Sequence, residues 1–227
     1  MEIPEITALI FMKGHSERVP GKNVRLMCGR PLFHWIIESL VQSRFVREVI
    51  VNTDSQVIAE DAQRTFGATI HMRPDYLKGE MVSALPLIEY DITNTSGEYF
   101  LQTHSTTPLV RPATIDRAVE AFFAQSLHDS LFSVTPVQTR LYWPDGRGIN
   151  HDPDRLIRTQ DLDPVYEENS CLYIFSRAVF ERRKNRLGAR PMMFEMDRFE
   201  AVDIDQEFDF CVAEALMAKR IERTSDE

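Results

Sequence analysis

Cysteine is scarce in this chain of 227 residues, and its three thiols, at Cys28, Cys171 and Cys211, are odd in number, far apart and without a CxxC pair. The spacing indicates neither a disulfide framework nor a zinc knuckle, and we expect three buried thiols. Long apolar runs are missing as well: none approaches the ~20 residues that a membrane-spanning helix needs, so no membrane partner is predicted. The first residues, Met-Glu-Ile-Pro-Glu, lack the basic start and the apolar stretch of a signal peptide, and a cytoplasmic location is expected.

Positive charge is also in deficit, because 26 Lys and Arg stand against 35 Asp and Glu, which gives a net charge of −9. Nucleic-acid binding depends on many cations that neutralise phosphates, so we predict no nucleic-acid partner. The 43% of apolar residues is enough for a sizeable core. No internal repeat or linker is evident, and a single domain over residues 1–227 is predicted. Any anionic ligand must meet a local basic patch.

Short apolar runs rich in β-branched residues alternate with amphipathic stretches along most of the chain. Strands are predicted at 6–12, 48–53, 68–72, 99–103, 131–135, 170–175 and 199–204, and helices at 31–40, 54–66, 81–92, 115–124 and 208–221. This alternation predicts an α/β fold, a three-layer α/β/α sandwich with a Rossmann-like, mostly parallel sheet. Ligands of such folds bind beyond the carboxyl ends of the strands. Residues 138–168, rich in Pro, Gly and charge, interrupt the pattern as an irregular excursion.

The loop after the first strand carries the local basic patch. Between Met12 and Arg30 it holds five Lys or Arg and a single acid, Glu17. Its glycines let backbone N–H groups approach an anion, so the segment suits a polyphosphate. It is neither a P-loop, because six residues rather than four separate Gly14 from Gly21, nor a GxGxxG loop. A solvated, flexible basic loop is the alternative interpretation.

Two aspartates near the carboxyl end form a second candidate site. Asp203 and Asp205 are two residues apart, and in an extended segment such side chains project to the same face. Together they can hold one divalent cation, and oxygen ligands of this kind suit Mg²⁺. The alternative is a polar segment that leads into a capped helix, with Asp205 as the cap and Asp209 in the first turn.

Several segments, in order along the chain, resemble the sugar-acid cytidylyltransferases, the family that contains acylneuraminate (CMP-sialic acid) synthetases and 3-deoxy-manno-octulosonate cytidylyltransferases. They are Lys13-Gly-His-Ser-Glu-Arg-Val-Pro-Gly-Lys-Asn23 with Gly29-Arg-Pro-Leu32, Asn52-Thr-Asp54, Arg73-Pro-Asp-Tyr-Leu77, Leu101-Gln102 with Thr107-Pro-Leu109, Asn169-Ser-Cys-Leu-Tyr173 and Val202-Asp-Ile-Asp205. The resemblance implies a fold of the nucleotide-diphosphosugar transferase type. It also implies a homodimer, and residues 138–168 would serve either dimerisation or the acceptor pocket. The implied reaction is attack of a sugar-acid hydroxyl on the α-phosphate of CTP, with Mg²⁺, and release of pyrophosphate.

Carried over residue by residue, the resemblance implies a role for each matching position. Positioned cations supply most of the catalysis in such phosphoryl transfers. Lys22, Lys13 and Arg18 would act on the triphosphate, Gly14, Ser16, Asn23 and Arg73 would bind the nucleotide, Gln102, His104, Asn169 and Tyr173 would bind the sugar-acid acceptor, and Asp203 and Asp205 would bind the metal.

The sequence departs from the family pattern at several of these places. Lys13 stands where the family usually has Arg, Glu17 where the sialate enzymes have Lys, and Ser170 where Gly is usual, while residues 78–83 follow a different pattern. Local structural roles are the alternative to nucleotide binding for two of these residues: Asn23 would hold a turn, and Arg73 would pair with Asp75. Two other functions therefore stay open, a same-fold nucleotidyltransferase for another nucleotide or a sugar phosphate, and a non-catalytic module that binds nucleotide sugars.

Overall fold

The computed structural model describes residues 3–15, 19–79 and 81–225, and strands and helices alternate along them. The strands are β1 (Ile6–Met12), β2 (Leu26–Met27), β3 (Arg30–Pro31), β4 (Val46–Thr53), β5 (Thr69–Met72), β6 (Tyr99–His104), β7 (Ser130–Val137), β8 (Val165–Ser176) and β9 (Pro191–Glu195). The α-helices are α1 (Leu32–Val41), α2 (Gln56–Phe66), α3 (Ala84–Thr93), α4 (Pro112–Phe123), α5 (Arg177–Arg183) and α6 (Glu207–Ser225).

Seven of the strands form one sheet in the order β5-β4-β1-β6-β8-β7-β9, and β2 pairs with β3 in a separate hairpin. All neighbours in the large sheet are parallel except the two pairs that involve β8. The carboxyl ends of β1, β4, β5 and β6 therefore lie at one edge of the sheet. Because β8 runs the other way, its first half reaches the same edge, and Tyr173 of β8 lies opposite Gln102 of β6.

Helices cover both faces of the sheet because successive strand residues project to opposite sides. Ala8 and Ile10 of β1 belong to a buried cluster with side chains of α1, α2 and α4. Leu9, between them, belongs to a second cluster with α3 and α5. The predicted three-layer sandwich with a mostly parallel sheet is confirmed.

A third apolar cluster lies beneath the carboxyl-edge loops. Met27 of β2 and Trp35 of α1 pack there with Leu109, which follows β6, and with Ile204 and α6. The backbone N–H of Ile204 also donates to the carbonyl of Thr106, at 2.9 Å. This cluster fixes the aspartate segment 203–205 against the loops that follow β1 and β6.

The predicted strand at 199–204 is wrong, because this segment pairs with the connection after β6 and not with the sheet. The last strand of the sheet is β9, at Pro191–Glu195, paired only with β7. The sequence also missed α5, a helix of seven residues whose charged composition resembles a loop. Its start is set by Ser176, whose hydroxyl accepts a hydrogen bond from the N–H of Val179.

The irregular excursion ends earlier than the sequence predicts. The excursion predicted at 138–168 is irregular only as far as Pro164, since β8 begins at Val165. The prediction of three buried thiols is correct for Cys171 and wrong for the other two, because Cys28 is partly exposed and Cys211 is exposed on α6. Within the described ranges, no helix combines the length and the apolar character that crossing a membrane would require.

Candidate active site

The loop after β1 is fastened to its neighbours by polar contacts of the predicted nucleotide residues. Asn23 is buried; its Nδ2 donates to the carbonyl of Lys13 at 2.8 Å, and its Oδ1 accepts from the hydroxyl of Ser105 at 2.7 Å. The N–H of Gly14 donates to Asp54 Oδ1 at 2.7 Å. The loop is thereby tied to the ends of both β4 and β6. The predicted residues Ser16 and Arg18 lie outside the described residues.

The Gly14 position requires the absence of a side chain. A Cβ there would lie 2.9 Å from Cβ of Ser55, the residue whose side chain caps α2. This close approach lets the loop backbone run directly over the start of that helix. The N-terminal end of a helix carries partial positive charge, which favours anions nearby.

Lys22 links the basic loop to the aspartate segment. Its Nζ donates to the carbonyl of Ile204 at 2.5 Å, although 182 residues separate the two in sequence. The ammonium group therefore lies near the carboxylate of Asp203. Burial raises the pKa of Asp203, and the charge of Lys22 opposes this rise. The structure thus brings together the predicted loop lysine and the predicted metal ligands.

Asp203 offers one oxygen atom that the described residues do not use. Asp203 Oδ1 is buried and has no hydrogen-bond partner within the described chain. Burial raises the pKa of Asp203, and the neighbouring charge of Asp205 adds to this rise. Asp205 itself is exposed, while Asp209 lies in the first turn of α6 and accepts from the N–H of Asp205 at 3.0 Å.

These donors fit Mg²⁺, which proteins often hold with one or two carboxylates while substrate phosphates and waters complete the shell. The described residues contain no group of three or more His, Cys, Asp or Glu arranged to hold a metal by themselves. An ion at Asp203 and Asp205 would therefore depend on oxygen atoms of a bound substrate. The unpartnered Asp203 oxygen is the feature of this chain that favours such an ion.

Arg73 is held at the carboxyl end of β5 by buried polar groups. Its side chain is 3% exposed, and its Nε donates to Asn52 Oδ1 at 2.7 Å. Asn52 Nδ2 donates in turn to Asp91 Oδ1 at 2.7 Å. Arg73 Nη1 is buried without a partner among the described residues, and burial lowers the pKa of this guanidinium. The alternative pairing of Arg73 with Asp75 is wrong, because that carboxylate pairs with Lys78 at 2.7 Å.

A polar cluster between β6 and β8 contains three of the predicted acceptor residues and two that the sequence missed. Gln102 is fully buried; its Oε1 accepts from Arg186, and its Nε2 contacts His104 Nε2 at 3.0 Å. The guanidinium of Arg186 lies over the ring of Tyr173, 3.4 Å from the centroid. The hydroxyl of Tyr173 donates to Glu168. Arg186 lies in a loop after α5, so no strand or helix spacing pointed to it.

Asn169, predicted to contact the acceptor, is occupied within the strand pair. Its Oδ1 accepts from Ser133 Oγ at 2.6 Å and from the N–H of Cys171 at 3.2 Å, and its Nδ2 donates to Thr135 Oγ1 at 2.9 Å. These bonds close an irregularity in the pairing of β7 and β8. The next residue, Ser170, has φ +59°, a left-handed conformation that favours glycine. Asn169 therefore shapes the backbone beside the polar cluster.

His104 lies where the two halves of the site meet. Burial together with the charges of Arg186 and Lys22 lowers the pKa of His104 to about 4, and Asp205 opposes this shift. The imidazole is therefore neutral at neutral pH. Because Gln102 Oε1 accepts from Arg186, its Nε2 is the donor to His104, and the ring proton belongs on Nδ1. The side chain joins the lysine and aspartate half to the polar cluster of Gln102, Tyr173, Glu168 and Arg186, the Gln102 cluster.

The chain is similar to known proteins over nearly its whole length. A family model described as Cytidylyltransferase matches residues 7–223. The chain is 31% identical over 218 residues to an N-acylneuraminate cytidylyltransferase of Oncorhynchus mykiss, with 92% of this chain and 49% of that protein covered. It is 28% identical over 229 residues to a CMP-N,N'-diacetyllegionaminic acid synthase of Legionella pneumophila, with 93% of this chain and 96% of that protein covered.

Solved structures show the same fold. A structure of CMP:2-keto-3-deoxy-manno-octonic acid synthetase complexed with CTP aligns with a TM-score of 0.71 and 16% identity, and covers 95% of this chain and 99% of that chain. The chain spans about half the length of the Oncorhynchus mykiss relative and nearly all of the Legionella pneumophila one.

Proposed function

Because the chain belongs to the cytidylyltransferase family, we propose that it transfers CMP from CTP to the anomeric hydroxyl of a 2-keto-3-deoxy sugar acid. The observation that carries the proposal is the bond from Lys22 Nζ to the carbonyl of Ile204, 2.5 Å long. This bond sets a loop cation beside the carboxylates of Asp203 and Asp205. A cation and a metal-binding pair at one place suit a triphosphate that is cleaved, because negative charge grows on the departing pyrophosphate.

The reaction forms one bond and breaks another. The acceptor oxygen bonds to the α-phosphorus of CTP, the bond from that phosphorus to the bridging oxygen of pyrophosphate breaks, and the hydroxyl proton passes to water. Lys22 and Lys13 supply positive charge to the phosphate oxygens. Asp203 and Asp205 would hold Mg²⁺, which when bound neutralises phosphate charge and orients the leaving group.

Arg73 and the loop after β1 serve the nucleotide. The buried Nη1 of Arg73 has no partner among the described residues and is a donor suited to a carbonyl oxygen of the base, and Asn52 fixes its direction from the opposite side. Gly14 brings its backbone close to the start of α2, where phosphates are favoured. The side chains of Gln102, His104 and Tyr173 would then orient the acceptor. Such positioning lowers the barrier by holding the hydroxyl near the phosphorus.

The test is pyrophosphate release from CTP, UTP, ATP and GTP with Mg²⁺, against a panel of sialic, legionaminic, pseudaminic and octulosonic acids. Release with CTP and at least one acid is expected. Release with a different nucleotide or with a sugar phosphate would favour the same-fold alternative, and tight CTP binding without release would favour a non-catalytic module. Lys22→Met should abolish release, whereas Lys219→Met, which removes an exposed lysine of α6, should not.

The proposal includes a single catalytic domain that works as a homodimer. The irregular segment 138–164 exposes large apolar side chains, among them Trp143 and Leu156, the second of which is 85% exposed. Exposed apolar groups of this kind are typical of interaction surfaces. Light scattering should give twice the mass of one chain, and Leu156→Glu should reduce it towards the mass of a monomer. A monomeric wild-type protein would contradict this part of the proposal.

A further inference from the structure

Arg186 is a partly buried cation in the acceptor half of the site that the proposed mechanism has not yet used. Its side chain is 18% exposed, and it contacts three members of the Gln102 cluster. It donates to Gln102 Oε1, stacks on the ring of Tyr173 and lies 3.7 Å from Glu168 Oε1. Burying a guanidinium costs free energy unless its donors are used, so its place in a substrate pocket needs an explanation.

The loop that carries Arg186 is held in place on both sides. Before it, Lys184 pairs with Glu89 at 2.7 Å. After it, the N–H of Gly188 donates to Ser130 Oγ at 2.8 Å. A Cβ at Gly188 would overlap the carboxylate of Asp129, which accepts from the two following backbone N–H groups. The guanidinium is therefore presented by a closely packed loop, as a preorganised binding group requires.

The chemistry of the pair that Arg186 forms with Glu168 limits what it can recognise. Arg186 offers N–H donors, and Glu168 offers acceptor oxygens a few ångströms away. Their charges offset each other, so the pair is not arranged to attract a second net charge. A sugar hydroxyl matches it, because a hydroxyl is at once an acceptor and a donor. An acylamino group also carries a donor and an acceptor, but it adds a methyl that must lie against charged groups, which is unfavourable.

We propose that Arg186 is a specificity-determining residue, which with Glu168 selects an acceptor that places a hydroxyl rather than an acylamino group against the Gln102–Tyr173 cluster. The inference rests on the proposed function, since it concerns the acceptor of that reaction. Arg186 acts on the part of the substrate remote from the phosphates. The recognition is therefore separable from CTP binding, which involves the opposite half of the site.

The experiment measures CMP transfer from CTP to a matched pair of acids: N-acetylneuraminic acid, and the analogue with a hydroxyl in place of the acetamido group. In Arg186→Met, kcat/KM for the hydroxyl acid should fall by about 10- to 100-fold more than for the N-acetyl acid, the loss expected for a charged hydrogen bond. The KM for CTP should change by less than about twofold, because the nucleotide half is intact. Arg186→Lys keeps the charge without the planar fork and should recover part of the selectivity.

Arg182→Met is the matched control. Arg182 is an arginine of α5 with a 66% exposed side chain, 3.8 Å from Asp129, and its removal should leave the ratio between the two acids unchanged. An equal loss for both acids in Arg186→Met, or a rise in the KM for CTP, would overturn the inference. If the Met variant does not fold, the Lys variant must show the same change in ratio, smaller in size. Absence of transfer by the wild-type protein to every acid overturns the proposed function as well, whereas transfer with an unchanged ratio overturns only the role of Arg186.

Discussion

Replacement of Asp203 by asparagine should separate catalysis from stability. The carboxylate of Asp203 forms a side-chain hydrogen bond with Thr106. Asp203→Asn keeps the size of the side chain and the possibility of this bond, but it removes the charge that a metal ion needs. Burial raises the pKa of Asp203, so the ionised carboxylate is unfavourable in the folded, ligand-free protein. One of its oxygens has no partner within the described chain, so little protein hydrogen bonding is lost. The variant should therefore lose activity without losing stability.

The contacts of Asp203 set the expected changes in kcat, melting temperature and CTP affinity. Loss of a ligand that stabilises the charge of the departing pyrophosphate should lower kcat by about 100- to 1000-fold, or about 3 to 4 kcal/mol. Relief of a buried charge should leave the melting temperature of the ligand-free protein unchanged or raise it by at most about 4 °C. The Kd for CTP without metal should stay within about threefold, because Lys22 and Arg73 are unchanged.

The assay is pyrophosphate release at several Mg²⁺ concentrations, combined with calorimetric melting of the same samples. Asp197→Asn serves as the control, since Asp197 is exposed on the same connecting segment and bonds only locally, with its Oδ1 accepting from the N–H of Phe199 at 2.9 Å. That variant should retain both activity and stability. Normal turnover in Asp203→Asn would refute the metal assignment. A large fall in its melting temperature would refute the reasoning about the buried charge.

Three further outcomes are expected. Asn169→Ala removes the bonds that close the irregularity in β8, so calorimetry should show a loss of about 2 to 3 kcal/mol, or roughly 5–10 °C, and an unchanged melting temperature would contradict this role. Asn52→Ala removes the bond that orients Arg73, so steady-state kinetics should show the KM for CTP rising about tenfold while the KM for the acceptor stays constant. Equal changes in both KM values would argue against a role of Arg73 in nucleotide binding. The pKa of His104 is about 4 in the folded protein and 6.5 in the unfolded chain, so its contribution to the free energy of unfolding is complete above pH 6.5. This contribution is lost as the pH falls towards 4, by up to about 3 kcal/mol. Urea denaturation of His104→Asn should show a shallower loss over this range than wild type, and parallel curves would contradict the assignment.

The sequence predicted the layers of the fold because the buried strands have a clear signature. Ile6–Met12 is apolar at nearly every position, as a strand covered on both faces requires, and the structure places it in the middle of the sheet. The segment 199–204 mixes apolar residues with two acids, a pattern that also predicts a strand, but it is not one. Its Ile204 is buried by α6 and the loops after β1 and β6, and apolar alternation alone does not distinguish that environment from a sheet.

The sequence pointed to the residues that we propose for the phosphate side of the candidate site, and to only some of those that we propose for its acceptor side. Lys22 and Asp203 lie in segments whose composition is unusual, a basic loop in an acidic chain and a run of acids, so each was visible without a structure. Arg186 is one arginine among several between 182 and 190. Its position depends on anchors at Ser130 and Glu89, which are distant in sequence, and no local pattern encodes such contacts.

The neutral state of His104 explains how Lys22 and the aspartates can lie so close to Arg186 and the Gln102 cluster. Lys22 and Arg186 both act on this histidine, and an imidazolium between two cations would be repelled from both sides. A neutral ring removes that repulsion, while the bond from Gln102 fixes which nitrogen holds the proton. The Nδ1 hydrogen then remains a donor at the junction where, in the proposed reaction, the acceptor hydroxyl and the phosphates would meet. A larger cation at this position would push the two groups apart, and a carboxylate would compete with Asp205 for the proposed metal ion. A buried neutral histidine avoids both effects.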